Sequence, residues 1–494
     1  MRVADLVAIP YPIVLVVGGL AIGLVPALPD VALDPDVVFL VFLPPLLHAA
    51  GFQASPQELR AEKAALSWLA GGLVLITMGA VAVVAHELVD GLSWPAAFVL
   101  GAVVAPTDPV SAAATFTRIP VPERVRLLVE GEAMLNDATA LVAYRIALAA
   151  AVSGTFAVDH AALDFVVSAL GGIAIGLGVG FVEVLVLRRQ ADRALTIFLT
   201  VGAAYGSYIA AEEVGVSGVL GAVASGIYLG WFAHAAFDAD ARLSAIAFWE
   251  VLVFGLNAML FILLGLQLPA LVDDMRAQVA LGDLTAAAVV VSLTVIGVRV
   301  AGQFFPGAFP GGTWRERLVV GWSGMRGAIS LAAALSIPLS VDGRPQILFL
   351  TFVVLLVTLV GQGLTLPALL RILRVEGARL WSPDEAIARL EAAQAPLDRL
   401  DELEEEGVPE ETLRRLRDLY RARFRACQAA IGGRGGRDGR PADDPREAYG
   451  RLRRDLIGVE RDTLLRLRRD GRVRQDTLRE IQRDLDLEEA RLRA

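Results

Sequence analysis

The chain has 494 residues, of which 55% are hydrophobic, and its mean hydropathy is +0.57. This composition is far more apolar than that of soluble globular proteins and indicates a polytopic membrane protein. The formal net charge of −9 argues against a nucleic-acid-binding protein. A single cysteine, Cys427, excludes an internal disulfide bond and the paired spacing of a cysteine metal site.

Apolar runs in twelve places are long enough to cross about 30 Å of hydrocarbon at 1.5 Å per residue. The predicted spans are 9–27, 37–53, 65–86, 95–114, 127–152, 161–187, 194–211, 216–234, 246–268, 281–304, 317–338 and 347–370. The start of the chain does not have the pattern of a cleavable signal peptide, so we expect the first span to direct insertion. The expected fold is an all-α polytopic membrane protein.

Loop charges predict the orientation of these spans. Thirteen basic residues follow the even-numbered spans: Arg60, Lys63, Arg118, Arg124, Arg126, Arg188, Arg189, Arg193, Arg242, Arg315, Arg317, Arg371 and Arg374. Only Arg276 and Arg344 follow the odd-numbered spans, whose loops carry acidic residues such as Asp30, Asp34 and Glu212. By the positive-inside rule, both termini are predicted to be cytoplasmic.

The segment after the last span differs in composition. Residues 375–494 hold 26 of the 45 Lys and Arg residues and 27 of the 54 acidic residues. Apolar and charged residues alternate there at helical spacing, as in 413–424 and 478–492, and a glycine-rich linker divides the segment at 432–445. We therefore predict a transmembrane domain, 1–374, and a soluble helical tail. The tail is either a solvated helical bundle or dimer contact, or a ligand-sensing domain.

The charged residues that matter most within the predicted spans are Asp108, Glu132, Asp137, Arg145, Glu183, Glu250, Arg299 and Arg326. Each costs at least ~2.5 kcal/mol near the bilayer centre, so it needs a partner, a water-filled cavity or a place near the interface. Glu183 and Glu250 lie toward the cytoplasmic ends of their spans, where we expect them to reach the interface.

Two spans are predicted to be broken. In span 4, Pro106 and Pro109 interrupt the helix around Thr107 and Asp108, and the break exposes backbone carbonyls that can bind a cation. In span 11, which runs in the opposite direction, two glycines flank Arg326. Interrupted spans of opposite orientation are typical of inverted-repeat transporters, whose site lies where they cross. Asp108 and Arg326 should therefore lie close together; a simple proline kink is the alternative.

Span 5 adds a carboxylate near the membrane midplane, Asp137, about ten residues or ~15 Å from the cytoplasmic end. Glu132 and Asn136 share a neighbouring face of this helix. A buried carboxylate holds a hard cation or a proton but not both, because burial favours its neutral form. This exclusion is a sufficient basis for exchange of Na⁺ or K⁺ for H⁺. Glu132 is predicted to pair with Arg326, and packing contacts between helices are the alternative role for these residues.

Three motifs follow one another in the chain, with two supporting segments. They are PTDP at 106–109, EAMLND at 132–137 and GMRG at 324–327, supported by FLPPLLHAAGF at 42–52 and GVSGVLGAVASGIYLGW at 215–231. With these motifs the sequence resembles the cation:proton antiporter-1 family, the NhaP-type and NHE-type sodium/proton exchangers, over nearly all of residues 9–370.

The resemblance implies a secondary antiporter in the plasma (inner) membrane that exchanges Na⁺, or else K⁺ or Li⁺, for H⁺ by alternating access. No ATP or organic cofactor is implied. The family works as a homodimer in which a transport domain moves against a dimerisation domain. Asp137 is implied to bind the cation and the proton, with Thr107 and Asp108 lining the same metal-ion site. Asn136 beside Asp137 is implied to go with electroneutral exchange.

The resemblance also implies a structural ion pair between Glu132 and Arg326. The sequence departs from the family at Ala133, where many relatives have a serine that contributes to the ion site, and at Ala49, where some have an acid. Relatives usually have thirteen spans, and residues 6–19 resemble their second.

Two other classes of function fit the sequence less well. A cation channel would need a continuous pore lined by carboxylates or carbonyls, and two broken spans of opposite orientation fit alternating access better. An intramembrane protease would use Asp108 and Asp137 as an aspartyl pair, but Asn136 and Arg326 have no role in that chemistry. The prediction is a transporter and not an enzyme.

Overall fold

A computed structural model describes residues 10–25, 35–54, 56–153, 158–189, 192–237, 239–278, 281–306, 309–375, 383–405 and 409–432, with five isolated positions beyond them. Within these ranges the chain forms helices and turns and contains no strand, as the predicted all-α class requires. The chain divides into two compact units, Met1–Arg379 and Leu380–Ala494.

Fifteen described helices form the first unit. They are α1 Tyr11–Gly23, α2 Pro35–Gln53, α3 Pro56–Ala61, α4 Lys63–Leu88, α5 Trp94–Val104, α6 Val110–Phe116, α7 Glu123–Ser153, α8 Val158–Leu187, α9 Arg193–Glu213, α10 Gly218–Ala236, α11 Ala239–Gln278, α12 Leu281–Gly302, α13 Trp314–Trp322, α14 Ala328–Leu335 and α15 Arg344–Leu373. Helices α4 and α15 each contain a π-helical turn, at Trp68–Gly72 and Val357–Gln362.

Seven of the described helices are long and apolar enough to cross a membrane: α4, α7, α8, α9, α11, α12 and α15. Shorter apolar helices lie at Tyr11–Gly23, Phe39–Gln53, Trp94–Val104 and Gly218–Ala233. Predicted span 4 falls on α5 and α6, and predicted span 11 on α13 and α14. The chain is thus a multi-pass helical membrane protein, while the number of twelve crossings stays a prediction.

The helices of the first unit pack in two groups. The scaffold group consists of α1, α2 and α8 to α11, and the core group of α3 to α7 and α12 to α15. Small residues bring the scaffold helices into close contact. A Cβ atom at Gly176 of α8 would overlap the carbonyl oxygen of Gly221 on α10, and one at Gly226 of α10 would overlap that of His48 on α2. These approaches join three scaffold helices tightly.

Capping residues fix where the helices of the core group begin. Ser93 caps α5 by accepting a hydrogen bond from the amide of Ala96, and Pro95 occupies the first turn. Thr313 and Glu316 form a capping box at the start of α13. Both caps lie at the outer ends of these half-helices, so their inner ends are directed into the core group.

The described part of the second unit is also helical. Helices α16, Pro383–Glu405, and α17, Glu410–Gly432, pack against each other and bury Leu400 and Leu413. Arg417 of α17 donates hydrogen bonds to Asp401 and Glu404 of α16. The remaining predicted tail helix, at 478–492, lies almost entirely outside the described residues.

Candidate functional site

The two predicted helix breaks lie directly against each other. Helix α5 ends before the two prolines and α6 begins after them, and α13 and α14 are separated by a segment that ends at Gly327. Gly327 has an extended backbone, with φ −122° and ψ −171°. The amide of Asp108 donates to the carbonyl oxygen of Met325 over 2.8 Å. A backbone hydrogen bond therefore joins the two breaks, and four helix ends meet at this point.

Arg326 completes this crossing. Its Nη1 donates to the carbonyl oxygen of Pro106 over 3.0 Å, and its amide donates to Oγ1 of Thr358 over 3.2 Å. Thr358 belongs to the π-helical turn of α15. The side chain of Arg326 is 1% exposed. Arg326 thus satisfies a carbonyl that the proline break leaves free, and the structure brings its segment and Asp108 together.

Glu132 pairs with Arg299 of α12, so the predicted pairing with Arg326 is wrong. Arg299 Nη1 lies 2.5 Å from Oε1 of Glu132, and Nη2 lies 2.8 Å from Oε2. Arg299 reaches this place because Gly324 has no side chain, since a Cβ there would overlap its guanidinium. The sequence identified Arg299 only as an intramembrane charge and gave no signal that selects it over Arg326.

Thr107 and Asn136 form a hydrogen-bonded layer next to this ion pair. Asn136 Nδ2 donates to Thr107 Oγ1 over 2.7 Å, and the Thr107 hydroxyl donates to Glu132 Oε1 over 3.4 Å. Oδ1 of Asn136 is buried and has no hydrogen-bond partner within the described ranges. The layer therefore keeps one neutral oxygen free, which is a ligand that hard cations accept.

A cavity of about 710 Å³ lies between the scaffold and core groups and reaches both predicted carboxylates, Asp108 and Asp137. Scaffold residues on its wall include Tyr11 of α1 and Phe254 of α11. The carboxylate of Asp137, a residue that is 7% exposed, has no hydrogen-bond donor among the residues that the structure describes. Asp137 is therefore buried in protein yet free to take a ligand from the cavity.

Charged residues of the loop that follows predicted span 4, and of the first turns of α7, line the other end of this cavity: Arg118, Glu123 and Glu130. This is the side that loop charges predict to be cytoplasmic. Neither Thr107 nor Asn136 lines the cavity, so the structure divides the predicted site into two carboxylates at its wall and a polar layer behind them.

On the opposite side of Asp137, the described residues leave little space. A second cavity of only about 10 Å³ shares Asp137 and Ile329 with the large one. Beyond it, the hydroxyl of Tyr144 lies 2.8 Å from Oγ of Ser336. Arg145 of the core group forms a 2.8 Å ion pair with Glu212 of the scaffold group. Asp137 thus lies at the boundary between an accessible cavity and a packed region.

A second polar cluster lies inside the scaffold group, and sequence reasoning missed it. His48 Nδ1 is 2.9 Å from Ser225 Oγ, and His48 Nε2 is 4.0 Å from Glu183 Oε1. Glu183 is 6% exposed, so it does not reach the interface as predicted. The reason is the close approach of α8 and α10 at Gly180, one turn before Glu183, which places that face of α8 inside the group.

Comparison with known proteins also indicates a cation/proton exchanger. The family model described as sodium/hydrogen exchanger, transmembrane, matches residues 1–372. An uncharacterized Na⁺/H⁺ exchanger of Mycobacterium tuberculosis is 33% identical over 97% of this chain and 91% of its own length. The Na⁺/H⁺ antiporter ApNhaP of Aphanothece halophytica is 34% identical over 80% of this chain and 75% of its own.

The fold is similar to that of the sodium proton antiporter MjNhaP1 of Methanocaldococcus jannaschii, with a TM-score of 0.61 and 21% identity over 75% of this chain and 94% of that one. The predicted family and the predicted class of function, cation/proton exchange by a protein that is not an enzyme, are confirmed. The chain belongs to the transmembrane sodium/hydrogen exchanger family.

Proposed function

We propose that the protein exchanges a monovalent cation for H⁺ by alternating access, and that Asp137 is the carboxylate that binds either one. The observation that carries this proposal is the position of Asp137, which lines both the large cavity and the small closed one. A buried carboxylate without a donor is stable when it holds a proton or when a cation neutralises it. Because the two ligands compete for one group, each crossing with a cation is coupled to a crossing with a proton.

The neighbouring residues have separate roles in this proposal. Asp108 supplies a second carboxylate at the cavity wall and Thr107 a hydroxyl oxygen, so both are cation ligands together with Asp137. Oγ1 of Thr107 accepts from Asn136 and donates toward Glu132, which leaves one lone pair for the cation. Asn136 places a neutral amide beside Asp137, where a second carboxylate would add a charge. We associate this arrangement with electroneutral exchange.

The two helix groups have the arrangement that alternating access requires. We assign the core group to the transport domain and the scaffold group to the dimerisation domain of a homodimer, with both termini cytoplasmic in the plasma membrane. The predicted twelve crossings within residues 1–374 are an even number, so both ends of this segment would lie on the same side of the membrane. The two broken helix pairs, α5 with α6 and α13 with α14, lie on spans that the sequence predicts to run in opposite directions, which supports an inverted repeat. Residues 375–494 are proposed to form a cytoplasmic tail.

Sodium is the proposed cation, with K⁺ and Li⁺ as the other candidates. The full chain is reconstituted in liposomes with an acidic interior, and a pH-sensitive dye reports proton release when each cation is added outside. Wild type is expected to release protons. Asp137→Asn is expected to lose this release completely, because an amide cannot carry the proton.

Glu250→Gln is the matched control, because Glu250 is an acidic residue of α11 that is exposed and lines neither cavity. This variant should exchange like wild type. Retained exchange in Asp137→Asn would refute the assignment of the site. Cation flux in wild type without proton movement would favour a channel.

A further inference from the structure

Ser330 lies in the first turn of α14 and lines the small cavity beside Asp137. We propose that Ser330 is a further cation-binding residue, whose hydroxyl supplies an oxygen ligand on the side of Asp137 away from the large cavity. The proposal rests on the proposed function, since it needs Asp137 as the central ligand. No motif in the sequence singled out this serine.

The hydroxyl of Ser330 is buried and free. Ser330 is 1% exposed, and its Oγ has no hydrogen-bond partner among the described residues. Burial removes the hydrogen bonds that such a hydroxyl makes with water. This loss is unfavourable unless a ligand or a buried water replaces those bonds. An unsatisfied buried hydroxyl therefore needs an explanation in terms of a ligand, a water or a function.

The helix break explains why this hydroxyl is free. Hydroxyls inside the helices of this protein usually donate to a carbonyl four or three residues earlier, as Thr77 does to Leu73 and Ser207 to Ala204. For Ser330 these carbonyls belong to Arg326 and Gly327, which both precede the first residue of α14. The same break that brings Asp108 and Arg326 together thus deprives Ser330 of its usual acceptor.

The Ser330 hydroxyl could bind a ligand in the small cavity. It is lined by Ser330, Asp137 and Pro106, together with apolar side chains and Tyr144. Its volume of about 10 Å³ is close to the least that holds one water molecule, so it suits one small dehydrated ion or one water. The Tyr144 hydroxyl already contacts Ser336, and the carbonyl of Pro106 already accepts from Arg326. Ser330 and Asp137 are therefore the side chains left to bind a cation there.

Both residues belong to the core group, Asp137 on α7 and Ser330 on α14. They would accordingly move together when the core group moves against the scaffold. A cation held by Asp137 would keep the Ser330 oxygen as a ligand while the access side changes. The oxygen of Ser330 contributes affinity for the cation and takes no part in binding the proton.

The test compares full-length wild type with Ser330→Ala in proteoliposomes. The KM for Na⁺ is expected to rise about tenfold, as for the loss of one polar ligand, and kcat to stay within about twofold. Ser330→Thr keeps the hydroxyl and should restore most of the affinity. Stabilisation of the purified protein by NaCl relative to choline chloride, read as a shift in Tm, should fall in Ser330→Ala in parallel.

Ser111→Ala is the matched control. Ser111 on α6 is also 1% exposed with an unpaired hydroxyl in the described structure, but it lines neither cavity. Its KM should not change. An unchanged KM in Ser330→Ala, or an equal rise in both variants, would overturn the proposal.

Two further variants keep the test decisive. If Ser330→Ala does not fold, Ser330→Cys replaces it; its thiol is a poor ligand for Na⁺, so the same rise in KM is expected and wild-type KM would refute the proposal. Asp137→Asn is measured beside them. Exchange retained there contradicts the proposed site itself, whereas loss of exchange there with wild-type KM at residue 330 contradicts only the role of Ser330.

Discussion

At the scale of single residues, two arginine–glutamate pairs differ chiefly in their exposure to solvent. The side chains of Arg299 and Glu132 are 4% and 1% exposed, whereas those of Arg145 and Glu212 are 54% and 31% exposed. Buried charges have lost their hydration, so each is tolerated only while the other is present. Exposed charges keep most of their hydration, and their attraction is weak.

Arg299→Ala is therefore expected to destabilise the protein by about 3–5 kcal/mol, because Glu132 stays as an unpaired buried charge. Arg145→Ala should cost less than about 1 kcal/mol. Unfolding of both variants in detergent measures the difference. The double variant Glu132→Gln with Arg299→Ala should recover part of the loss, since residue 132 then carries no charge that needs a partner. Equal stability of the two single variants would contradict this explanation.

At the scale of helices, the crossing of the two breaks depends on a glycine. A Cβ atom at Gly327 would overlap the carboxylate of Asp108 and lie 2.5 Å from its Cβ. The neighbour that would have to move is thus a proposed cation ligand on the other broken helix pair. Gly79 in α4 has open space around it, with no atom within 4 Å of such a Cβ.

Gly327→Ala should accordingly displace Asp108 and lower exchange about 100-fold, the loss typical when a positioned site shifts by about 1 Å. Helix content by circular dichroism should stay unchanged. Gly79→Ala should exchange normally and gain about 0.5–1 kcal/mol in stability, because alanine favours a helix more than glycine does. Normal exchange in Gly327→Ala would show that the packing of the two breaks tolerates a methyl group.

At the scale of the whole transmembrane unit, the described residues leave a large cavity on one side of Asp137 and a cavity of only about 10 Å³ on the other. The large cavity separates scaffold and core groups on that side, and the Arg145–Glu212 pair joins the two groups on the other. If the core group moves to open the opposite side, this pair has to separate. The pair therefore favours the state in which the large cavity is open.

Reversal of the charge at Arg145 tests whether the pair favours the state in which the large cavity is open. In a chain with Cys427→Ser, Ala113→Cys places a thiol on the wall of the large cavity, where a membrane-impermeant reagent should label it from the side that is predicted to be cytoplasmic. Adding Arg145→Glu sets two like charges opposite each other and should slow labelling by up to about fivefold, the change in equilibrium constant for a shift of about 1 kcal/mol. Exchanging both charges, Arg145→Glu with Glu212→Arg, should restore the rate. Equal labelling in all three chains would exclude the pair as a determinant of access.

The sequence by itself determined the features that depend on local chemistry. Long apolar runs specify membrane helices, and prolines and glycines specify where a helix ends, so the all-α class and both breaks were predictable. The positions of Asp108, Asp137 and Arg326 within apolar segments were also evident from the sequence. The family could be named from three short motifs, since their side chains and spacing are highly specific.

The tertiary structure alone decided which groups meet. Two buried arginines, Arg299 and Arg326, were candidate partners of Glu132. The lack of a side chain at Gly324 leaves room for Arg299, which is 167 residues away from Glu132 in the chain. The burial of Glu183 and the free hydroxyl of Ser330 likewise depend on how closely helices approach and where a neighbouring helix begins. Helical periodicity defines the face on which a residue lies, but contacts between faces arise from packing of distant segments, which no local pattern encodes.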